Sequence, residues 1–153
     1  MSVQREVMEL KELNEEKVCA ILNEIVEYEM AGVVRYAHSS LMVSGPYRLP
    51  IVAFLQEQAN ESLTHALQAG ELITGFGGHP SQVIATIKEN HIHSINQILE
   101  ESLQHEQYAI SLYKKLLEEV ADASIMLEEY SRGHVGQEEQ HALEIKKMLK
   151  DFS

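Results

Sequence analysis

Glu138-Glu139-Gln140-His141 is a Glu-x-x-His step set inside a long apolar-periodic stretch near the C-terminal end of the sequence. An α-helix turns about 100° per residue, which puts Glu138 and His141 within roughly 60° of each other on one face. Leu127, Tyr130, Ile145 and Met148 fall in the same stripe, so that face is the inward one. A carboxylate and an imidazole in core positions are costly to bury unless something neutralises them. A metal ion would do so most directly.

The chain presents these pieces twice. Tyr28-Glu29-Met30-Ala31 leads to Tyr36, and His105-Glu106-Gln107-Tyr108 leads to Tyr113, so each glutamate has a tyrosine two helical turns later. His65-Ala66-Leu67 is echoed by His141-Ala142-Leu143, and Glu29 precedes His65 by almost the same distance as Glu106 precedes His141. Two helix pairs of one design, each with a glutamate on its first helix and a glutamate–histidine pair on its second, describe a bundle-core di-iron carboxylate site. Carboxylates with two imidazoles suit Fe(II), Fe(III) or Mn(II) better than structural zinc, which favours thiolates.

Composition agrees with a helical bundle. The 153 residues suffice for one domain with a sizeable core, 44% are hydrophobic, there is no tryptophan, and there are only 3 prolines. The formal net charge is −12 and no Lys/Arg cluster stands at either end, which excludes sequence-independent nucleic-acid binding and disfavours a DNA-protecting mini-ferritin. No apolar run approaches the ~18 residues that span a bilayer, and the first residues lack a signal peptide's apolar centre. Cys19 is alone and allows no internal disulfide, so a cytoplasmic setting is the default expectation.

The spacing predicts an all-α architecture of four long helices. Residues 1–13 read as a helical extension or frayed arm. Asn14 caps a first helix running to about Met42, with Val18, Leu22, Ile25, Gly32 and Tyr36 on its seam around Glu29. Ser44-Gly45-Pro46 stops it, and Pro50 opens a second helix from about Ile51 to Thr74. Residues 81–93 form a connection containing a helical turn or two. Ser94-Ile95-Asn96-Gln97 reads as a capping box opening a third helix to about Val120, and Asp122-Ala123-Ser124 caps a fourth that reaches about Lys150. Short outer links make two antiparallel hairpins, and the long crossover lets helices 2 and 3 run parallel.

On Glu29-Met30-Ala31 with Tyr36, His65-Ala66, Gly78-His79-Pro80, His105-Glu106 and Glu138-Glu139-Gln140-His141, residues 14–150 resemble a bacterioferritin, and more broadly a ferritin-like di-iron protein. The resemblance implies a four-helix bundle that binds two iron ions and oxidises Fe(II) with dioxygen or peroxide. It implies Glu29 and Glu138 as outer or bridging ligands, Glu106 in the matching role, and His65 and His141 each on one metal. Tyr36 and Tyr113 are core aromatics or hydrogen-bond partners of those ligands. Three departures matter. The family's second Glu-x-x-His has Ser62 where its glutamate belongs, and Glu61 is the nearest carboxylate. If Glu61 turns inward the site holds two metals; otherwise it holds one tightly or two poorly. The family's haem-binding methionine falls at Leu63, so haem is not expected. The family's short fifth helix has no counterpart after His141, which favours a homodimer over a larger shell. A di-iron peroxidase or other oxidase, and a metal-poor helical scaffold dimer, are the alternatives. His134, between Gly133 and Gly136, reads as part of a local distortion beside the site; His79, His91 and His93 read as surface residues.

Overall fold

The computed structural model describes residues 10–150 of the chain. Four helices account for the regular secondary structure of those residues: α1 (Glu15–Met42), α2 (Arg48–Gly75), α3 (Ile95–Val120) and α4 (Ile125–Leu149). Three of them start on a side-chain cap. Asn14 Oδ1 accepts from the Lys17 amide at 3.1 Å, Ser94 Oγ from Gln97 at 3.2 Å and Ser124 Oγ from Leu127 at 3.2 Å. Each satisfies an N–H that the first helical turn leaves without a partner.

Four local expectations are corrected. Gln97 does not reach back to complete a capping box; its Nε2 donates to Glu101, one turn onward, at 3.2 Å. α2 begins at Arg48 rather than Ile51, with Pro50 inside its first turn, where a missing N–H removes no helical bond. The crossover between α2 and α3 contains no helical turn, because its backbone bonds to α1 instead of to itself. Asn23 Nδ2 donates to the His79 carbonyl at 3.1 Å, the Ser81 amide donates to Asn23 Oδ1 at 2.8 Å, and the Ala85 amide donates to the Glu27 carbonyl at 3.1 Å. α4 runs unbroken through Gly133 and Gly136; a Cβ at either would meet nothing within 4 Å, so packing does not distort the helix there. Of the N-terminal extension, residues 10–14 are not helical, with the Lys11 amide donating to the Asp122 carbonyl at 2.6 Å, and residues 1–9 lie outside the described part.

The helix directions follow from which residues meet. Tyr36 touches Ser102 while Glu29, nearer the start of α1, touches Tyr113, so α1 and α3 are antiparallel. His65 faces Glu138, and Glu61 meets Gln137 and His141. With α1–α2 and α3–α4 as hairpins, α2 and α3 run parallel, and the extended crossover travels the length of α1 to join them.

The core is in two pieces. Val18, Leu22, Ile25, Ala69, Ile73, Tyr113, Leu116, Val120 and Leu127 belong to one apolar cluster, and Tyr36, Val43, Ile51, Leu55 and Ile98 to the other. In the same bundle interior, Glu29, His65, Glu106 and Glu138 are all buried, each at most 5% exposed. The gap is tight where α1 crosses it: a Cβ on Gly32 would stand 2.8 Å from His105 Nε2 and 2.9 Å from Ser62 Oγ. Gly32→Ala is therefore expected to lower unfolding stability by about 1–3 kcal/mol through overpacking. A urea melt checks this, and an unchanged midpoint would show that the crossing has room to give.

Candidate metal centre

Each helix contributes to one polar cluster. α1 supplies Glu29, α2 supplies Glu61 and His65, α3 supplies Glu106, and α4 supplies Glu138 and His141. His65 Nδ1 lies 3.6 Å from Glu29 Oε2 and 3.5 Å from Glu138 Oε1. His141 Nδ1 lies 3.4 Å from Glu138 Oε2. Two groups of three side chains result, Glu29–His65–Glu138 and Glu106–Glu138–His141, with the donor atoms of each within 4.8 Å of one another. Glu138 belongs to both, one oxygen toward each. That is the geometry of a bridging carboxylate between two adjacent cation positions.

Glu61 closes the outer side. Its Oε1 is 3.7 Å from His65 Nε2 and its Oε2 3.6 Å from His141 Nε2, and Gln137 Nε2 donates to Oε1 at 2.5 Å. No bulge is needed for this, since α2 stays helical through residues 61–65. Ser62, buried, turns instead toward Gly32. The two positions differ in access: the His65 side chain is 6% exposed, those of Glu61 and His141 23% and 24%.

Hydroxyls hold the inner glutamates. Tyr36 Oη donates to Glu106 Oε1 at 2.6 Å and lies 2.9 Å from Ser102 Oγ; Tyr113 Oη donates to Glu29 Oε1 at 3.3 Å. His134 takes no place among the carboxylates. Its ring stacks on Tyr113, centroids 4.5 Å apart, and meets His65 edge-on at 4.7 Å, so it packs the His65 ring in place. His105 and Ser102 were not singled out as site residues by the sequence pattern. His105 stacks on Tyr28 at 4.4 Å and meets Tyr36 edge-on at 5.4 Å, which fixes the ring of the tyrosine that holds Glu106. The sequence signal existed: Ser102, His105 and Ala109 lie on one helical stripe, all buried.

The electrostatics of the cluster show an excess of buried acid over base. Burial pushes the Glu106 carboxyl well above its usual range, and hydrogen-bonding contact with the Glu138 carboxyl adds to this. Burial also lifts Glu138, to about 7, helped by the charges of Glu29 and Glu61. Burial opposes charge on His65, yet hydrogen bonding and attraction to Glu29, with Glu61 and Glu106 behind it, hold its pKa above the usual value. Glu138 Oε2 and His141 Nδ1 are buried without a hydrogen-bond partner. Like carboxylates packed this closely cannot all ionise unless positive charge replaces their protons. Hard oxygen donors with two imidazoles fit ferrous, ferric or manganous ions.

A sequence model of the ferritin-like domain family matches residues 19–153. No individually curated protein sequence matches the chain. Among solved structures, a ferritin-like, diiron-carboxylate protein of Bacillus anthracis is 26% identical, covers 88% of this chain and 96% of its own, and superimposes with a TM-score of 0.82. The bacterioferritin-related dodecameric thioferritin of Bacteroides fragilis is 18% identical over 92% of this chain and 89% of its own, with a TM-score of 0.85. Rhodobacter capsulatus bacterioferritin, described with a metal-free dinuclear site and haem iron, is 21% identical over 92% and 88%, with a TM-score of 0.78. Four helices in this order, a long crossover and a family match over most of the length lead to one assignment: the chain belongs to the ferritin-like domain family.

Proposed function

We propose that this protein binds two iron ions between its helices and oxidises Fe(II) with dioxygen or hydrogen peroxide, for iron storage or detoxification. The carrying observation is Glu138, buried at the centre with one oxygen toward His65 and the other toward His141. Glu29 and His65 would hold one ion, Glu106 and His141 the other, with Glu138 between them and Glu61 reaching both histidines from outside. Iron is the reductant here: each Fe(II) gives up one electron, so a pair reduces dioxygen to peroxide or peroxide to water.

The chain's own groups do the rest. Before metal arrives, protons on Glu106 and Glu138 make the cluster tolerable to bury, and Fe(II) binding displaces them. Carboxylates fixed in place favour the more highly charged ferric product, since they need no reorganisation when charge develops. Tyr36 and Tyr113 keep Glu106 and Glu29 from swinging away. The greater exposure of Glu61 and His141 favours loading and release through the outer position. We read the chain as a single cytoplasmic domain without haem, Leu63 standing on the surface of α2, that assembles at least as a homodimer. Three buried glutamates with His65 as the one buried imidazole paired to them leave an excess of negative charge, which argues against a metal-free scaffold.

Anaerobic loading should give close to two Fe(II) per chain by metal analysis, and Glu138→Ala should abolish iron-dependent oxygen uptake because it removes the shared ligand. Two irons and normal uptake in that variant would sink the proposal. Glu61→Gln, which leaves the buried glutamates in place but removes the charge that reaches both histidines, should weaken Fe(II) binding by about 10–100-fold, measured by Fe(II) titration.

The acid–base state makes a separate prediction for metal-free protein. Glu106 and Glu138 both have folded pKa values above the ordinary 4.5, so their contribution to stability is present below 4.5 and lost as pH rises through the folded values, for Glu138 about 7. Glu138→Gln, neutral throughout, should gain on the parent across that window by an amount on the order of 2–3 kcal/mol. Thermal melts of chelator-treated protein test this. A difference that stays flat with pH would mean the carboxyl is already ionised.

A further inference from the structure

A second constellation lies away from the di-metal centre. His38 stands on α1 nine residues beyond Glu29, about 13 Å along the helix axis. Beside it the crossover carries Glu89 and His93. Glu89 Oε2 lies 2.9 Å from His38 Nε2, Glu89 Oε1 lies 3.9 Å from His93 Nε2, and the two imidazole centroids are 5.8 Å apart, steeply inclined at 69°. The three donor atoms fall within 4.8 Å of one another. They border a recess of about 260 Å³ that Val34, Ile87, Arg35 and Glu101 also line.

The crossover is bent to bring those side chains together. His91 takes a left-handed backbone conformation, φ 58°, uncommon for a residue with a side chain. Its amide donates to Glu89 Oε1 at 2.6 Å, and the Ile92 amide donates to Asn90 Oδ1 at 2.9 Å. Asn90 Nδ2 in turn donates to Glu101 of α3 at 2.6 Å. The turn thus holds Glu89 and His93 facing α1. The His91 amide, with His93 and His38 nearby, keeps the Glu89 carboxyl below its usual range.

We propose that His38, Glu89 and His93 bind one divalent transition-metal ion of the zinc class and thereby fasten the crossover to α1. Ligands about 2.0–2.1 Å from a tetrahedral ion are separated by about 3.3–3.5 Å. Glu89 presents one oxygen to each imidazole, Oε2 2.9 Å from His38 and Oε1 3.9 Å from His93, on either side of that spacing, so small side-chain shifts would seat an ion between the carboxylate and both rings. Two imidazoles and one carboxylate leave a fourth position for water. Arg35 and Lys88 border the same recess and balance Glu89 and Glu101, so a bare electrostatic attraction for calcium or magnesium is absent. The imidazoles select the borderline-soft metals instead. The clasp closes the far end of a crossover whose near end and middle are already tied to Asn23 and Glu27.

The test equilibrates full-length protein with zinc and counts zinc per chain, in the parent and in a His38→Ala/His93→Ala double variant. The double variant should hold one zinc fewer. Hydrogen exchange at residues 86–93 should slow on zinc addition in the parent only. Glu89→Gln should give the same loss with both imidazoles intact. Far-UV circular dichroism confirms that the variants remain helical. An equal zinc count in parent and variants, or zinc-dependent protection of the crossover that survives the substitutions, overturns the proposal. Because the variants leave Glu29, His65, Glu106, Glu138 and His141 untouched, failure of the di-metal centre lowers every count alike and leaves the difference readable.

Discussion

Glu29, Glu106 and Glu138 repel one another in a bundle interior that water does not reach, and the fold brings them together regardless. Proteins seldom bury like charges at this density without a counter-ion. Without metal, the conflict is eased by protons on Glu106 and Glu138 and by attraction to His65. Two apolar clusters of the same bundle supply the stability against which this cost is set. The arrangement is locally frustrated, and a bound cation would relieve it.

Holding a repulsive cluster together demands rigidity around it. Tyr36 and Tyr113 restrain two glutamates by their hydroxyls, and each is in turn packed against a histidine, His105 and His134 respectively. Burial pushes both imidazoles toward the neutral form, His105 to about 3 and His134 to about 4. They pack as rings without adding charge to the centre. The close crossing at Gly32 completes the frame, since a side chain there would displace His105 and Ser62.

The departure at Ser62 reshapes the centre rather than removing a carboxylate from it. Glu61 sits one residue earlier and farther round the helix, so it approaches the histidines from the solvent side. The cluster is asymmetric: the His65 side chain is buried and that of His141 more accessible.

What the sequence determined by itself was the helical frame and the repeated placement of acid and imidazole on its seams. Periodicity is a local property, and Glu29, His65, Glu106 and Glu138 could be read as inward from their neighbours alone. The caps at Asn14, Ser94 and Ser124 were equally local. The course of the crossover was not, because Asn23 and Glu27 capture it from a distant part of the chain. Nor could spacing decide where Glu61 points, since a position at the edge of a helical face is committed only by what the neighbouring helix offers, here His141 and Gln137. The packing of His105 on Tyr28, of His134 on Tyr113, and the meeting of His38 with Glu89 and His93 were likewise settled by tertiary structure, because each joins residues whose separation along the chain carries no periodic signal.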